Sequence, residues 1–503
     1  MANAIKKLAG ETAIYGLSTI LARMINFLIV PLYTRVLATE SYGAYTEVMS
    51  YIAVLQVVLV LGLETGCFKF STNPKAFSTA MATVASVSLL LLGIVSLFAG
   101  PISTAMGYEG YSKMIFYTAG ILAMDSVTAI LFARLRYMQK ALKFALLKTI
   151  KITSELGFNL LLFLVLPGYL VSHPDTWILS FIPPVPDFSY IIFAVFLSCI
   201  VCTVLFIPDF FKVGMAMDRK LLKQMLLYSL PLMIAGLPGI INESLDRILF
   251  RFFAPENTDW RSDLGVYQAA VKLAVIMNLF VQMFRYAAEP FFFAREREKG
   301  AKELYAKVME YFVAFCMFIF LGILAYMDII GLILGKDFRG AIDTVPLMLI
   351  SYMIIGVLFN VSMWYKLSGH TRFAINITLS GLAVTAVINM LLMPYLSYWA
   401  SVWAHVLSGA VMLGYSIWLG NKYYPIPYNW KRIGSYVVVG LLLFAVFFGA
   451  DKFVLDSIGM APFAKMAIRL TAGTVMVAIY IVFVAVRNKE LLPSGLLGRL
   501  KKN

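Results

Sequence analysis

Residues 228–250 read YSLPLMIAGLPGIINESLDRILF, and residues 264–293 read LGVYQAAVKLAVIMNLFVQMFRYAAEPFFF. Each run exceeds the about 20 mainly apolar residues a helix needs to cross a hydrocarbon core roughly 30 Å thick. With only a short polar stretch between them, they form a helical hairpin through a membrane. Pro231 and Pro238, with Gly236 and Gly239, are expected to bend the first helix and make it a hinge. An echo lies near the N-terminus, where residues 15–50 read YGLSTILARMINFLIVPLYTRVLATESYGAYTEVMS. Tyr15 answers Tyr228, Arg35 answers Arg247, and Ser41-Tyr42-Gly43-Ala44-Tyr45 answers Asp263-Leu264-Gly265-Val266-Tyr267. A chain that starts over in this way is expected to consist of two similar halves.

The composition fixes the class. Hydrophobic residues make up 61% and charged residues 14%, against roughly 25% charged in a soluble domain. Mean hydropathy is +0.83. Such a chain has no surface to turn toward water, so it reads as an all-α polytopic membrane protein. Its four cysteines are too few and too apolar in setting for a disulfide framework. Cys199 and Cys202 form a C-x-x-C inside the run FLSCIVCTVLF with no second ligand pair, so no metal is expected there. No glycine-rich loop ending in Gly-Lys-Ser/Thr occurs, so nothing points to nucleotide hydrolysis. Lys6 and Lys7 precede an apolar stretch too long for a cleaved leader; it holds Arg23 and Asn26 and is expected to remain as the first span.

Hydropathy gives about fourteen spans. They fall near 8–31, 43–66, 78–99, 113–133, 145–166, 189–208, 225–250, 264–291, 308–334, 345–366, 374–393, 399–420, 433–450 and 464–486. The repeat continues past the opening pair: Arg136-Tyr137 and Lys143-Phe144-Ala145 after the fourth span match Trp364-Tyr365 and Arg372-Phe373-Ala374 after the tenth. The offset between halves grows from 213 residues at Tyr15 and Tyr228 to 229 at Phe144 and Phe373, as loop insertions cause. Six spans per repeat is an even number, so the halves start on the same side. They are then related by a pseudo-twofold axis along the membrane normal, as in some secondary transporters. The expected division is a lobe over 1–210, a second lobe over 211–422, and an extra helix pair with a basic tail over 423–503.

Loop charges set the orientation. Arg134, Arg136, Lys140 and Lys143, then Lys212, Arg219, Lys220 and Lys223, then Arg295, Arg297, Lys299 and Lys302 all fall on one side. Cytoplasmic loops carry such an excess, which places both termini in the cytoplasm. The net charge of +15 follows mostly from this rule, and no nucleic-acid module is present. The longest outer loop, 167–188, is rich in proline with Trp177 and Phe181 and is expected to lie on the membrane interface.

Ionisable groups at membrane depth cost at least about 2.5–3.5 kcal/mol and mark function unless they neutralise one another locally. Spacing pairs Lys151 with Glu155, Glu243 with Arg247, and Arg285 with Glu289. Arg23 and Lys272 have no acid three or four residues away, and they sit in the first span of one half and the second of the other. A deep arginine can grip a phosphate with its planar fork, and a lysine can serve as a point charge. The alternative is a pairing with Asp125, Glu47 or Glu64 on another helix. Those carboxylates, Asp125 and Glu47 above all, could equally hold a coupling H+ or Na+. Of the three histidines only His405 falls within a span, where a satisfied interior role is the simpler reading.

These stretches together carry a resemblance: YGLSTILARMINFLIVPLYTRVL followed by SYGAY, YSLPLMIAGLPGIINESLDRILF followed by LGVYQAAVKLA, and the turn YYPIPYNWKR at 423–432. The chain resembles, over nearly its whole length, the Wzx-type flippases, the polysaccharide-transporter branch of the multidrug/oligosaccharidyl-lipid/polysaccharide exporter superfamily. The resemblance implies a transporter of the bacterial inner membrane that moves undecaprenyl-pyrophosphate-linked oligosaccharide to the outer leaflet. It implies two six-helix lobes around a cavity open to alternate sides, with bilayer lipids and other polysaccharide-assembly membrane proteins as partners. No cofactor is implied beyond a coupling ion. It carries the pyrophosphate-binding role to Arg23, Lys272 and Arg285, whereas Asp246 and Arg247 match the signature near a membrane edge and are read as folding residues.

Three rivals remain. A multidrug or cation antiporter of the same superfamily would favour carboxylates and aromatics in its cavity, and Glu47, Glu64, Asp125 and Glu155 are present. A flippase for lipid-linked peptidoglycan precursors has the same charge demands. A membrane polysaccharide polymerase or ligase would need a large outer loop bearing catalytic groups, and the repeat has no place in that reading.

Overall fold

The computed structural model describes residues 24–488 except 26, 297, 456 and 458–460. Among them, thirteen helices are long and apolar enough to cross a membrane. This chain is a multi-pass membrane protein. In lipid every backbone N–H and C=O needs an internal partner, which the helix supplies within one segment. The spanning helices are α1 (Thr39–Val60), α2 (Ala76–Leu97), α3 (Ser112–Tyr137), α4 (Ala141–Leu160), α5 (Phe188–Val213), α6 (Arg219–Phe253) and α7 (Trp260–Ala294). They continue with α8 (Ala301–Ala325), α9 (Val345–Leu367), α10 (Phe373–Leu396), α11 (Tyr398–Tyr423), α12 (Trp430–Ala450) and α13 (Pro462–Arg487).

Each expected span from the second onward falls on one of these helices; the first falls mostly outside the described residues. The expected span 308–334 overruns its helix. α8 ends at Ala325, and Asp328 in the short helix that follows lies 3.7 Å from Arg469 of α13. A carboxylate so held closes the apolar run early.

Local chemistry explains the ends. Asp187 accepts from the Ser189 N–H at the start of α5, Asp218 from the Lys220 and Leu221 N–H groups at the start of α6, and Asn429 from Arg432 at the start of α12. Such caps satisfy donors that the first turn leaves unpaired. α1 is continued by Leu63–Lys69 after a left-handed step at Leu61 and Gly62. α6 runs unbroken through Pro231 and Pro238. The expected 167–188 loop starts later than the hydropathy suggests, because a helix runs from Leu166 through Ser172; past it Trp177–Ser180 forms one turn, tied down by Tyr117 donating to the Phe181 carbonyl and Tyr190 to that of Pro183.

The chain forms two compact units and passes between them within α7, α10 and α11 and in the 333–342 segment. One takes the described chain through Lys272 with Leu334–Ala341 and Ile375–Ser408; the other takes Leu273–Ile333, Ile342–Ala374 and the chain from Gly409. In the first unit α1, α2 and α5 pack on α3. Gly120 lets α5 in so closely that a Cβ there would stand 2.5 Å from the Phe196 ring. All four cysteines are buried with free thiols.

The first unit also holds a contact between corresponding parts of the repeat. A Cβ on Gly43 would lie 1.8 Å from the carbonyl oxygen of Arg261, and one on Gly265 would lie 2.0 Å from that of Thr39. The Thr39 and Ser262 hydroxyls bond at 2.6 Å beside it. Small residues allow this backbone approach where lipid offers no hydrophobic drive.

In the second unit α8 is central, with α9, α12 and α13 against it. Gly440 faces Met317, Gly473 faces the Ala325 backbone, and Tyr480 donates to the Ala314 carbonyl. Arg432 reaches Glu310 at 3.2 Å and the Asn488 side chain at 2.6 Å, which clamps the extra helix pair to α8.

Candidate functional site

Among the described residues, four groups of charged side chains in and beside the spanning helices stand out. In the first unit, Lys151 of α4 bonds Asp125 of α3 at 2.5 Å, with the Cys199 thiol 3.4 Å from the same carboxylate oxygen. The spacing reading gives Lys151 the partner Glu155 on its own helix. The structure bonds it across to α3, where both side chains are only partly exposed and a charge-assisted bond gains more than a surface pair one turn away.

Glu47 of α1 is fully buried and accepts from Tyr108 and, at 3.5 Å, from Tyr51. Arg251 at the end of α6 lies 3.7 Å from it and donates to the carbonyls of Ala105 and Met106. Arg261 at the start of α7 donates to the Gly107 carbonyl and stacks on Tyr108 at 4.8 Å. Burial, then the Glu47 carboxylate, hold the Tyr108 phenol well above its usual range, so it stays a donor. Glu64, expected as a deep carboxylate, pairs with Arg136 at 2.7 Å, and both are about a third or more exposed.

Asp246 of α6 is wholly buried. Its Oδ2 accepts from Tyr267 at 3.2 Å and lies 3.1 Å from Nε2 of His405, while Oδ1 has no hydrogen-bond partner among the described residues. Asn242, one turn before Asp246, accepts from Thr385 at 2.5 Å and donates to Ser408. The interior role expected for His405 thus has a named partner.

The second unit holds the fourth group. Glu289 of α7 bonds Lys366 of α9 at 2.6 Å, across helices. Arg285, one turn before Glu289, is exposed and lies over the Phe359 ring at 5.2 Å. The same ring takes the Lys366 ammonium at 5.2 Å. Among the described residues Arg285 has no carboxylate within ion-pair distance. Of the other expected phosphate ligands, Lys272 is partly buried in α7, and Arg23 lies outside the described residues.

Sequence reading passed over Lys366, Arg251 and Arg261. The repeat held a signal for the first: Glu64 and Glu289 differ by 225 positions, inside the drift from 213 to 229, and each has a basic partner at the end of the span two further on. Arg251 and Arg261 stand at span ends, where positive charge is ordinary, and their ligands are carbonyls that no side-chain pattern reveals.

A family model described as polysaccharide biosynthesis protein matches residues 8–295. In fold the chain is similar to a lipid II flippase, MurJ, solved in an inward closed conformation, with a TM-score of 0.70 and 12% identity over 95% of this chain and 99% of that one. It is similar, too, to an inward-facing multidrug resistance MATE family transporter of the MOP superfamily, with a TM-score of 0.53 and 12% identity over 84% and 95% of the two chains. A MATE transporter in complex with MaD3S gives 0.52 and 14% over 86% and 96%. No curated protein matches the sequence.

Proposed function

The chain belongs to the polysaccharide biosynthesis protein family, and from that premise we propose that it flips undecaprenyl-pyrophosphate-linked oligosaccharide from the cytoplasmic to the outer leaflet of a bacterial inner membrane. The observation that carries this reading is Arg285: an exposed guanidinium at membrane depth with no carboxylate within ion-pair distance among the described residues. An unneutralised cation there is costly unless an anion or water meets it, and a planar fork of donors suits a phosphate.

A lipid-linked glycan brings a head too polar to cross hydrocarbon, a diphosphate, and a tail that stays in lipid. A carrier for it needs cations within the membrane and no catalytic group, since nothing covalent changes. Arg23 and Lys272 join Arg285 as diphosphate ligands in this proposal. Both termini face the cytoplasm, as the loop charges direct.

The test is a melting curve of the purified protein with polyprenyl-diphosphate oligosaccharide in one arm and hydrophobic organic cations in the other. A ligand that binds only the folded state stabilises it by about 2.7 kcal/mol at a hundredfold excess over Kd. A shift with the anionic lipid alone supports the flippase. A shift with the cations alone replaces it with the drug antiporter.

A further inference from the structure

The two halves of the repeat each hold a cross-helix acid–base pair, and the second has one cation more beside it. Arg136 with Glu64, and Lys366 with Glu289, each join a basic residue at the end of one span to an acid near the end of another. Four residues before Glu64, across the left-handed step at Leu61 and Gly62, stands Val60, which is buried. One turn before Glu289 stands Arg285. A structural staple accounts for the first pair completely. It leaves the second with two cations, each 5.2 Å from the ring centre of one aromatic residue, Phe359, and one carboxylate, which is bonded to Lys366.

We propose that Arg285 and Lys366 form a two-cation seat for the diphosphate of a polyprenyl lipid, with Glu289 holding Lys366 while the seat is empty. This rests on the flippase reading above and adds to it Lys366 as a ligand and Glu289 as a built-in competitor. The Phe359 ring attracts both cations, so neither side chain is free to extend away to the headgroups as a long basic side chain otherwise does. A diphosphate offers one phosphate to each. Lys366 has three donors and a flexible stem, so it can leave Glu289 for a more highly charged oxygen. A monophosphate satisfies Arg285 alone and leaves the Glu289–Lys366 bond in place.

The depth suits a lipid rather than a free anion. Lys366 lies in the last turn of α9, and Arg285 lies nine residues before the end of α7, about 14 Å at the helical rise. Loop charges put both ends on the cytoplasmic side. A lipid whose tail stays in the bilayer presents its phosphates at that level.

The experiment measures Kd by calorimetry for undecaprenyl diphosphate, undecaprenyl monophosphate and inorganic pyrophosphate. The proteins are full-length wild type, Lys366→Ala, Glu289→Gln and the double variant. Loss of one charge-assisted bond should weaken diphosphate binding of Lys366→Ala about tenfold. Glu289→Gln should bind the diphosphate several-fold more tightly, and that gain should vanish in the double variant. Monophosphate binding should change little in Lys366→Ala. A residue that only braces the helices gives no variant that binds more tightly, so weaker binding in Glu289→Gln overturns the seat. So does unchanged diphosphate binding in a folded Lys366→Ala. Equal binding of inorganic pyrophosphate overturns the lipid as its source. Wild type that binds no polyprenyl diphosphate overturns the flippase reading itself. If Lys366→Ala fails to fold, Glu289→Gln, which keeps the side-chain shape, still decides.

Discussion

Gly43 and Gly265 meet backbone to backbone, and each closes on the carbonyl of the residue four positions before the other. Thr39 precedes Gly43 as Arg261 precedes Gly265, so the contact reads the same from either side. That reciprocity is what a two-fold relation between α1 and α7 produces at its axis. The motifs Ser41–Tyr45 and Asp263–Tyr267, matched by sequence alone, are thus also matched in space.

Replacing Gly43 or Gly265 with Ala puts a methyl group onto a main-chain oxygen that no rotamer can move. Each variant should lose about 1–3 kcal/mol, the usual effect of overpacking. Thermal melts of the detergent-solubilised protein check this. Gly93, which has open space around it, should accept Ala with no comparable loss.

Replacing Arg23 with Ala should abolish or strongly reduce glycan export while leaving the protein folded in the membrane. Surface glycan measured alongside membrane-fraction immunoblots tests this. Normal export from a well-expressed Arg23→Ala strain would remove Arg23 from the proposed diphosphate ligands.

His405→Ala strips the imidazole from a carboxylate with no access to water. Leaving a buried polar group short of a partner costs about 1–3 kcal/mol, and Asp246→Asn in the same chain should recover part of it. A double-mutant cycle on melting free energies measures the coupling. Strict additivity would mean that the Asp246–His405 contact contributes nothing to stability.

Tyr111, at the start of α3, donates to Asp187 at 2.8 Å. Burial first, then that bond, push its phenol up to about 12 from the ordinary 10.0. A raised pKa in the folded state gives stability that is whole below pH 10 and is lost as pH rises toward 12. Tyr111→Phe should therefore melt lower than wild type at pH 8, with the gap closing through that window. A gap that stays constant would show that the hydroxyl is not the source.

The spans were legible because hydrocarbon imposes length and apolarity on every crossing, and thirteen of the expected segments fall on helices. The repeat was legible because glycine and tyrosine recur in fixed order at a helix contact. Charge pairing was not. Spacing along one helix offers Lys151 the carboxylate of Glu155 and offers Glu289 the guanidinium of Arg285, while the bonds made are to Asp125 and Lys366 on neighbouring helices. Which helices are neighbours is set by contacts such as Gly120 on Phe196 and Gly356 on Phe312. Those depend on shape, and hydropathy carries no shape.

The burial of Cys67, Cys199, Cys202 and Cys316 has a practical consequence. Thiols sealed in apolar packing react slowly with maleimides, so the native chain is already a quiet background for site-specific labelling. A cysteine placed at Trp177, which is 74% exposed, should take a dye or spin label ahead of all four native ones. Pairs of such labels on loops can then follow motions of the chain without first stripping the native cysteines from the helices they help to pack.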